Sequence, residues 1–244
     1  METAIVIPSH KRHDRVLTKK IVADAKICVP DSQLDSYKEH NPECEIVPHP
    51  DHVIGLPAKR DWIYRHFGNV FMLDDDITKL QRVYSKDSYA INDPEVVRDI
   101  ILQTAEAAKQ SGAFLFGFSK NPNPSAYRSQ EPIRLSGYIT GCATGLLAGS
   151  NLYYDTRIKC NEDYWISCLN AHFHRIIYQD TRFVFEQKAT FTSRGGLAEF
   201  RNIEAEKADF ELLQKTFGDC IQLKIDTAQR KRKHPFEKTL RIPF

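Results

Sequence analysis

Short apolar runs, each closed by proline and polar turn residues, recur along the first part of the chain. "TAIVIPSHKR" (3–12), "AKICVPDSQ" (25–33) and "CEIVPHPD" (44–51) each read as a buried strand running into a loop. "GLPAKRDWIYRHFG" predicts a helix begun near Pro57 and stopped at Gly68. "GNVFMLDDD" is the next strand, and it ends in three adjacent carboxylates, Asp74, Asp75 and Asp76. "DPEVVRDIILQTAEAAKQSG" predicts a long amphipathic helix. Asp93 caps it, Pro94 takes its first position, and Val97, Ile100, Ile101, Ala105 and Ala108 form one apolar face. "AFLFGFS" is a further strand, "NEDYWISCLNAHF" a helix with Asn161 as cap, and "RIIYQDTRFVFEQ" one or two strands. A last amphipathic helix is expected from about Leu197 to Phe217. Strands alternating with helices predict an α/β fold, a mainly parallel sheet flanked by helices in a single domain. Such sheets bind ligands at the carboxyl ends of their strands, where the aspartates fall.

Composition narrows the class. The chain has 244 residues, 41% hydrophobic and 27% charged, enough to bury a full core without disulfide staples. It has no apolar run long enough to span a membrane. The opening "METAIVIPSH" lacks the basic and apolar regions of a secretory leader. The six cysteines are scattered, with no CxxC, and are expected to be reduced thiols in a cytoplasmic protein. Net charge is only +2, but "AQRKRKHPFEKTLR" (228–241) is dense in Lys and Arg. A domain over 1–226 followed by a basic tail over 227–244 is therefore expected. That tail is either solvated or a phosphate-contacting patch containing Lys231, Arg232 and Lys233.

Clustered carboxylates repel one another and either share a proton or recruit a cation. Oxygen-only ligands favour Mg²⁺ or Mn²⁺ over zinc, and Mg²⁺ commonly combines one or two carboxylates with substrate phosphates. The DxD pair Asp74 and Asp76 thus predicts a site for a metal-chelated diphosphate, favoured over the alternative of an acidic turn capping the next helix. Glu162 and Asp163 fall in the first turn of a helix, where acids are common because they complement the dipole. Before them runs "GYITGCATGLLAGSNLYYD", glycine-rich and nearly uncharged, expected to be a flexible cleft wall rather than a helix or plain strand. A carboxylate at the end of such a wall is placed to act as a general base. Lys11, Arg12, Arg15, Lys59 and Arg60 follow early strands, where a nucleotide's phosphates would lie. No P-loop, GxSxG or dinucleotide-binding glycine fingerprint occurs, which argues against an ordinary kinase.

In this order the pieces resemble the GT-A nucleotide-sugar glycosyltransferases. The elements are "AIVIPSHKR", "GLPAKRDWI", "FMLDDDI", the wall "YITGCATG" and "NEDYWISCLNAHFHRIIY". Within that class "IPSHKR", "LDDDI" and "TSRGGLAEFRN" are most similar to the TET-associated glycosyltransferases of phage genomes, implicated in decorating hydroxymethylated pyrimidines in DNA. The resemblance implies a metal-dependent transferase using Mn²⁺ or Mg²⁺. Its donor would be a UDP-sugar, UDP-glucose or UDP-arabinose, and its acceptor a 5-hydroxymethylpyrimidine in DNA. It implies that Pro8 and Ser9 shape the nucleotide pocket and that Arg12 and Arg60 contact the nucleotide. Asp74 would face the ribose or sugar and share the metal with Asp76. Asp163, or Glu162 beside it, would deprotonate the acceptor hydroxyl. Arg194 and the basic tail would hold DNA phosphates, and Tyr138 or Trp165 would stack on an extruded base. "FTSRGGLAEF" lacks the late histidine that many GT-A enzymes use as a further metal ligand. Other acceptors (a polysaccharide, a lipid-linked sugar, a protein), a nucleotidyltransferase, and a non-catalytic nucleic-acid-binding module are the competing readings.

Overall fold

The computed structural model describes residues 2–87, 89–187, 201–227 and 230–242. Its strands are β1 (Ala4–Pro8), β2 (Lys26–Pro30), β3 (Ile46–His49), β4 (Val70–Leu73), β5 (Ile77–Arg82), β6 (Tyr89–Ile91), β7 (Leu115–Ser119), β8 (Ile133–Arg134), β9 (Ala143–Leu146), β10 (Ile177–Gln187), β11 (Ile221–Leu223) and β12 (Lys238–Leu240). The helices are α1 (Leu34–His40), α2 (Leu56–Phe67), α3 (Pro94–Gln110), α4 (Glu162–Phe173) and α5 (Ile203–Phe217), with short 3₁₀ turns between.

A central sheet has the order β3-β2-β1-β4-β9-β7-β10-β5-β6, with β8 paired to β10. The half built from β3, β2, β1 and β4 is parallel throughout, and β7 and β10 run parallel to each other. β9 runs against both of its neighbours, and β5 against β10 and β6. The sheet is thus mixed, with most strands pointing one way.

The apolar runs are continuous because both faces of this sheet are covered. Along β4, Phe71 and Leu73 join Ile5, Ile7 and the α3 residues Val97, Ile101, Ala105 and Ala108. Val70 and Met72 face the other way, onto Ile63 and Tyr64 of α2 and Ile166 and Leu169 of α4. A third cluster joins Trp165 and Cys168 of α4 to Leu213 of α5 and Ile221 of β11. Helix boundaries follow local chemistry. Asp93 caps α3 by accepting from the Glu95 amide at 3.0 Å, and α2 ends at Gly68, whose φ of +73° suits glycine.

Three expectations are revised. The glycine-rich "wall" contains β9, a buried strand at the centre of the sheet; only the turn just before it, 140–142, borders the cleft. Asn161 precedes α4 but its side chain does not cap the helix; Lys238 donates to its Oδ1 instead. The basic segment is not free along its length: β12 pairs antiparallel with β11, and Lys238 is buried. The last helix begins at Ile203 among the described residues, and the start expected for it at Leu197 lies outside them.

β9 can thread between β4 and β7 only because Gly145 leaves room for the Phe116 ring. A Cβ at 145 would lie 2.1 Å from Phe116 Cζ. Gly145→Ala should therefore cost roughly 1–3 kcal/mol by overpacking. A thermal melt checks this, with Tm expected to fall by at least about 2 °C.

Candidate active site

The carboxylates lie where β4 leaves the sheet. Thr18 shapes the turn: its hydroxyl donates to the Asp74 carbonyl at 2.5 Å and accepts from the Ile77 amide at 3.0 Å. The Leu17 amide donates to the Asp75 carbonyl, and the Asp74 amide to the Cys142 carbonyl. With the backbone so held, successive side chains diverge. Asp75 turns inward and accepts from the Ser9 hydroxyl at 2.6 Å and from Arg12 Nη1 at 2.7 Å. Asp74 Oδ2 and Asp76 Oδ1 converge on a single donor, the Gln187 side-chain amide, at 2.8 and 3.1 Å.

Arg60 compensates the charge from beneath. Its Nη2 donates to Asp74 Oδ1 at 2.7 Å, and its Nε lies 3.7 Å from Glu162 Oε1. One guanidinium therefore joins the carboxylate at the end of β4 to the carboxylate at the start of α4. Its side chain is 1% exposed, so the pairing is made out of water and is strong. The neighbouring carboxylates raise the Arg60 pKa against the opposing effect of its burial. Burial pushes Asp74 up to about 7, Arg60 draws it back, and Asp76 and Glu162 add to the rise. Burial likewise raises Glu162 and Asp163, again opposed by Arg60.

Gly141 packs directly against this pair. A Cβ there would lie 3.1 Å from Glu162 Oε1 and 3.4 Å from Asp163 Cβ. These groups border one cleft of about 1070 Å³. Asp74, Asp76, Glu162 and Asp163 line it, and Arg12 and Lys59 supply positive charge along it. Lys59, 5% exposed, donates to the Ser9 carbonyl at 2.5 Å. Burial lowers its pKa to about 8. The sequence places Lys59 only among general basic residues, and it contains no local sign of Gln187, whose importance comes from the fold bringing β10 alongside β5.

The sequence-predicted residues divide. Pro8, Ser9, Arg12, Asp74, Asp76, Glu162 and Asp163 all border the cleft. Ser9's hydroxyl is engaged with Tyr37 and Asp75, so it holds the pocket's shape. Arg60, expected to contact a nucleotide, does not line the cleft; it lies behind the carboxylates. Lys231, Arg232 and Lys233 are exposed on the segment between β11 and β12 and do not line the cleft either. Arg194 lies outside the described residues. Trp165, a candidate to stack on a base, is 2% exposed and donates from its indole nitrogen to the Tyr153 carbonyl, so it is a core residue. Tyr138 is half-buried beneath Lys120, whose ammonium sits 4.2 Å from its ring centre.

Among the described residues no group of three or more His, Cys, Asp or Glu is arranged to hold a metal. Asp74 and Asp76 nonetheless suit a hard cation of the kind that takes two carboxylates and completes its shell from phosphate and water. Their convergence on one donor is the observation behind that fit.

An α/β sheet of this order, with carboxylates meeting over a deep cleft at its strand ends, is a GT-A-like fold. The model of the TET-associated glycosyltransferase family matches residues 3–196, and the chain belongs to that family. It is a glycosyltransferase, with a sugar donor as partner. No curated protein matches the chain. No helix among the described residues is long and apolar enough to cross a membrane.

Arg60→Met would leave the half-buried Asp74 and the buried Glu162 without their shared cation. Urea denaturation should show a loss of about 3–5 kcal/mol, the penalty for stripping one partner from a buried ion pair.

Proposed function

We propose that the protein transfers glucose or arabinose from the UDP-sugar to the hydroxymethyl group of a 5-hydroxymethylpyrimidine in DNA. The observation that carries this reading is the meeting of the β4 and α4 carboxylates in one cleft, joined by Arg60. Family membership and the motif resemblance support the acceptor in this reading.

Residue roles follow from position. Asp163 is the less buried of the α4 pair and accepts from the Tyr164 amide at 2.9 Å, which fixes its orientation toward the cleft side of the helix. With its pKa raised by burial it is a stronger base than a surface aspartate, and it would take the proton from the acceptor hydroxyl. Glu162, nearer Arg60, would keep that guanidinium placed and share the negative charge. Arg12 and Lys59 would attract the donor's diphosphate, and Pro8 with Ser9 would form the pocket wall. Asp74 and Asp76 would hold Mn²⁺ or Mg²⁺, which when bound offsets charge gathering on the departing diphosphate. Exposed Lys231, Arg232 and Lys233 would contact DNA phosphates away from the cleft, and the motif resemblance adds Arg194 to the phosphate contacts.

The protein incubated with Mn²⁺, UDP-glucose or UDP-arabinose and hydroxymethylated DNA should add one glycosyl unit to the modified nucleoside, read by mass after digestion. Unchanged nucleosides with every donor would overturn the DNA acceptor, and transfer to a saccharide or peptide instead would replace it. Asp76→Asn and Asp163→Asn should each reduce turnover by about 100-fold or more. Lys59 carries its charge below about pH 8 and loses it above. UDP affinity measured by calorimetry should therefore weaken as pH rises past about 8, and Lys59→Met should remove that dependence.

A further inference from the structure

The family match ends at residue 196, yet the chain beyond it reaches the catalytic helix from below. Asp209 of α5 is fully buried and spends both carboxylate oxygens on the backbone just before α4. Its Oδ1 accepts from the Lys159 amide at 2.9 Å; its Oδ2 accepts from the Cys160 amide at 2.7 Å and the Asn161 amide at 3.1 Å. The next two residues are Glu162 and Asp163.

A second group holds the same spot. Lys238 of β12 is 4% exposed, and its ammonium donates to Asn161 Oδ1 and to Glu206 Oε2, both at 2.7 Å. Glu206 also accepts from Arg201 Nε at 2.9 Å, and Arg201 lines the cleft. β12 is held in place by pairing with β11, whose Ile221 packs on Trp165 and Leu213. Helix starts leave backbone N–H groups without helical partners, and a side chain of the helix's own cap usually takes one. Asn161 does not do so here. The segment entering α4 is instead fixed by charged groups from α5 and β12.

Burying an aspartate, a glutamate and a lysine for this purpose is costly unless each is fully hydrogen-bonded. A simple cap would stabilise α4 without them. What this arrangement adds is a fixed backbone path for residues 159–161, and with it the placement of the two carboxylates that follow. We infer that Asp209 and Lys238 are positioning residues for Glu162 and Asp163, so that α5 and β12 are part of the catalytic apparatus. This rests on the role proposed above for the α4 pair.

The test compares Asp209→Asn, Lys238→Met and Asp163→Asn in the full chain, using UDP-glucose, Mn²⁺ and 5-hydroxymethylcytosine DNA. Asp209→Asn and Lys238→Met should each lower kcat about tenfold or more, with the KM for UDP-glucose unchanged, because misplacing a reacting group slows chemistry rather than donor binding. Hydrogen exchange should quicken at the 159–161 amides in Asp209→Asn while the amides of β1 and β4 stay protected. A merely structural role would lower Tm and leave kcat per folded molecule intact, and that result overturns the inference. Unchanged exchange at 159–161 in Asp209→Asn overturns it as well. If Asp209→Asn does not fold, Lys238→Met decides. Full activity in Asp163→Asn would instead remove the role of the α4 pair, and the inference with it.

Discussion

The rest of the site depends on the buried guanidinium of Arg60. Asp74 arrives from a strand and Glu162 from a helix, and each is a carboxylate pressed toward other carboxylates. Left alone, such a group would take a proton or be driven apart from its neighbours. Arg60 bonds one and stands 3.7 Å from the other, and so sets how far apart the two halves of the cleft lie. Arg12 serves Asp75 in the same way at 2.7 Å. Arginine suits the task because its planar fork stays charged when buried and can face two acids at once.

This arrangement explains why the aspartates sit at the end of β4. The parallel half of the sheet opens the cleft at its carboxyl edge, and β9, inserted antiparallel beside β4, brings the 140–142 turn against the α4 pair. Asp74 and Asp76 face a common point and Asp75 faces the frame that fixes them. The triplet thus contains two functions in alternate positions. Asp74 Oδ2 and Asp76 Oδ1 meet at the neutral Gln187 amide, which a cation with a diphosphate would replace, while Asp75 is matched by the guanidinium of Arg12.

Much of the frame was legible in the sequence, and for identifiable reasons. β1, β4, β7, α2 and α3 are marked by uninterrupted apolar runs or a helical stripe bounded by Pro, Gly or Asp, and these signals are local. β9 was not legible because its glycine, Gly145, answers to Phe116, a residue on another strand. α1 buries only Tyr37 and so shows no stripe. The basic composition of 227–244 reads as a solvated tail, whereas a single lysine in it, Lys238, bonds two residues that the chain brings from elsewhere. The carboxylates themselves were recognisable, since clustered acids at a strand end call for compensation. The compensating partner was not: Lys59 and Arg60 read as groups for a nucleotide's phosphates, and only the fold shows both turned inward, Arg60 onto the carboxylates.

The central claim is that Arg60 and the carboxylates form one coupled unit rather than adjacent independent groups. A double-mutant cycle tests it most directly, with unfolding free energies measured for wild type, Arg60→Met, Asp74→Asn and the double variant. The account predicts that the double variant is less damaged than the sum of the singles, by about 1–3 kcal/mol, because each single change strands a buried charge that the second change removes. Additive effects within about 0.5 kcal/mol would contradict it.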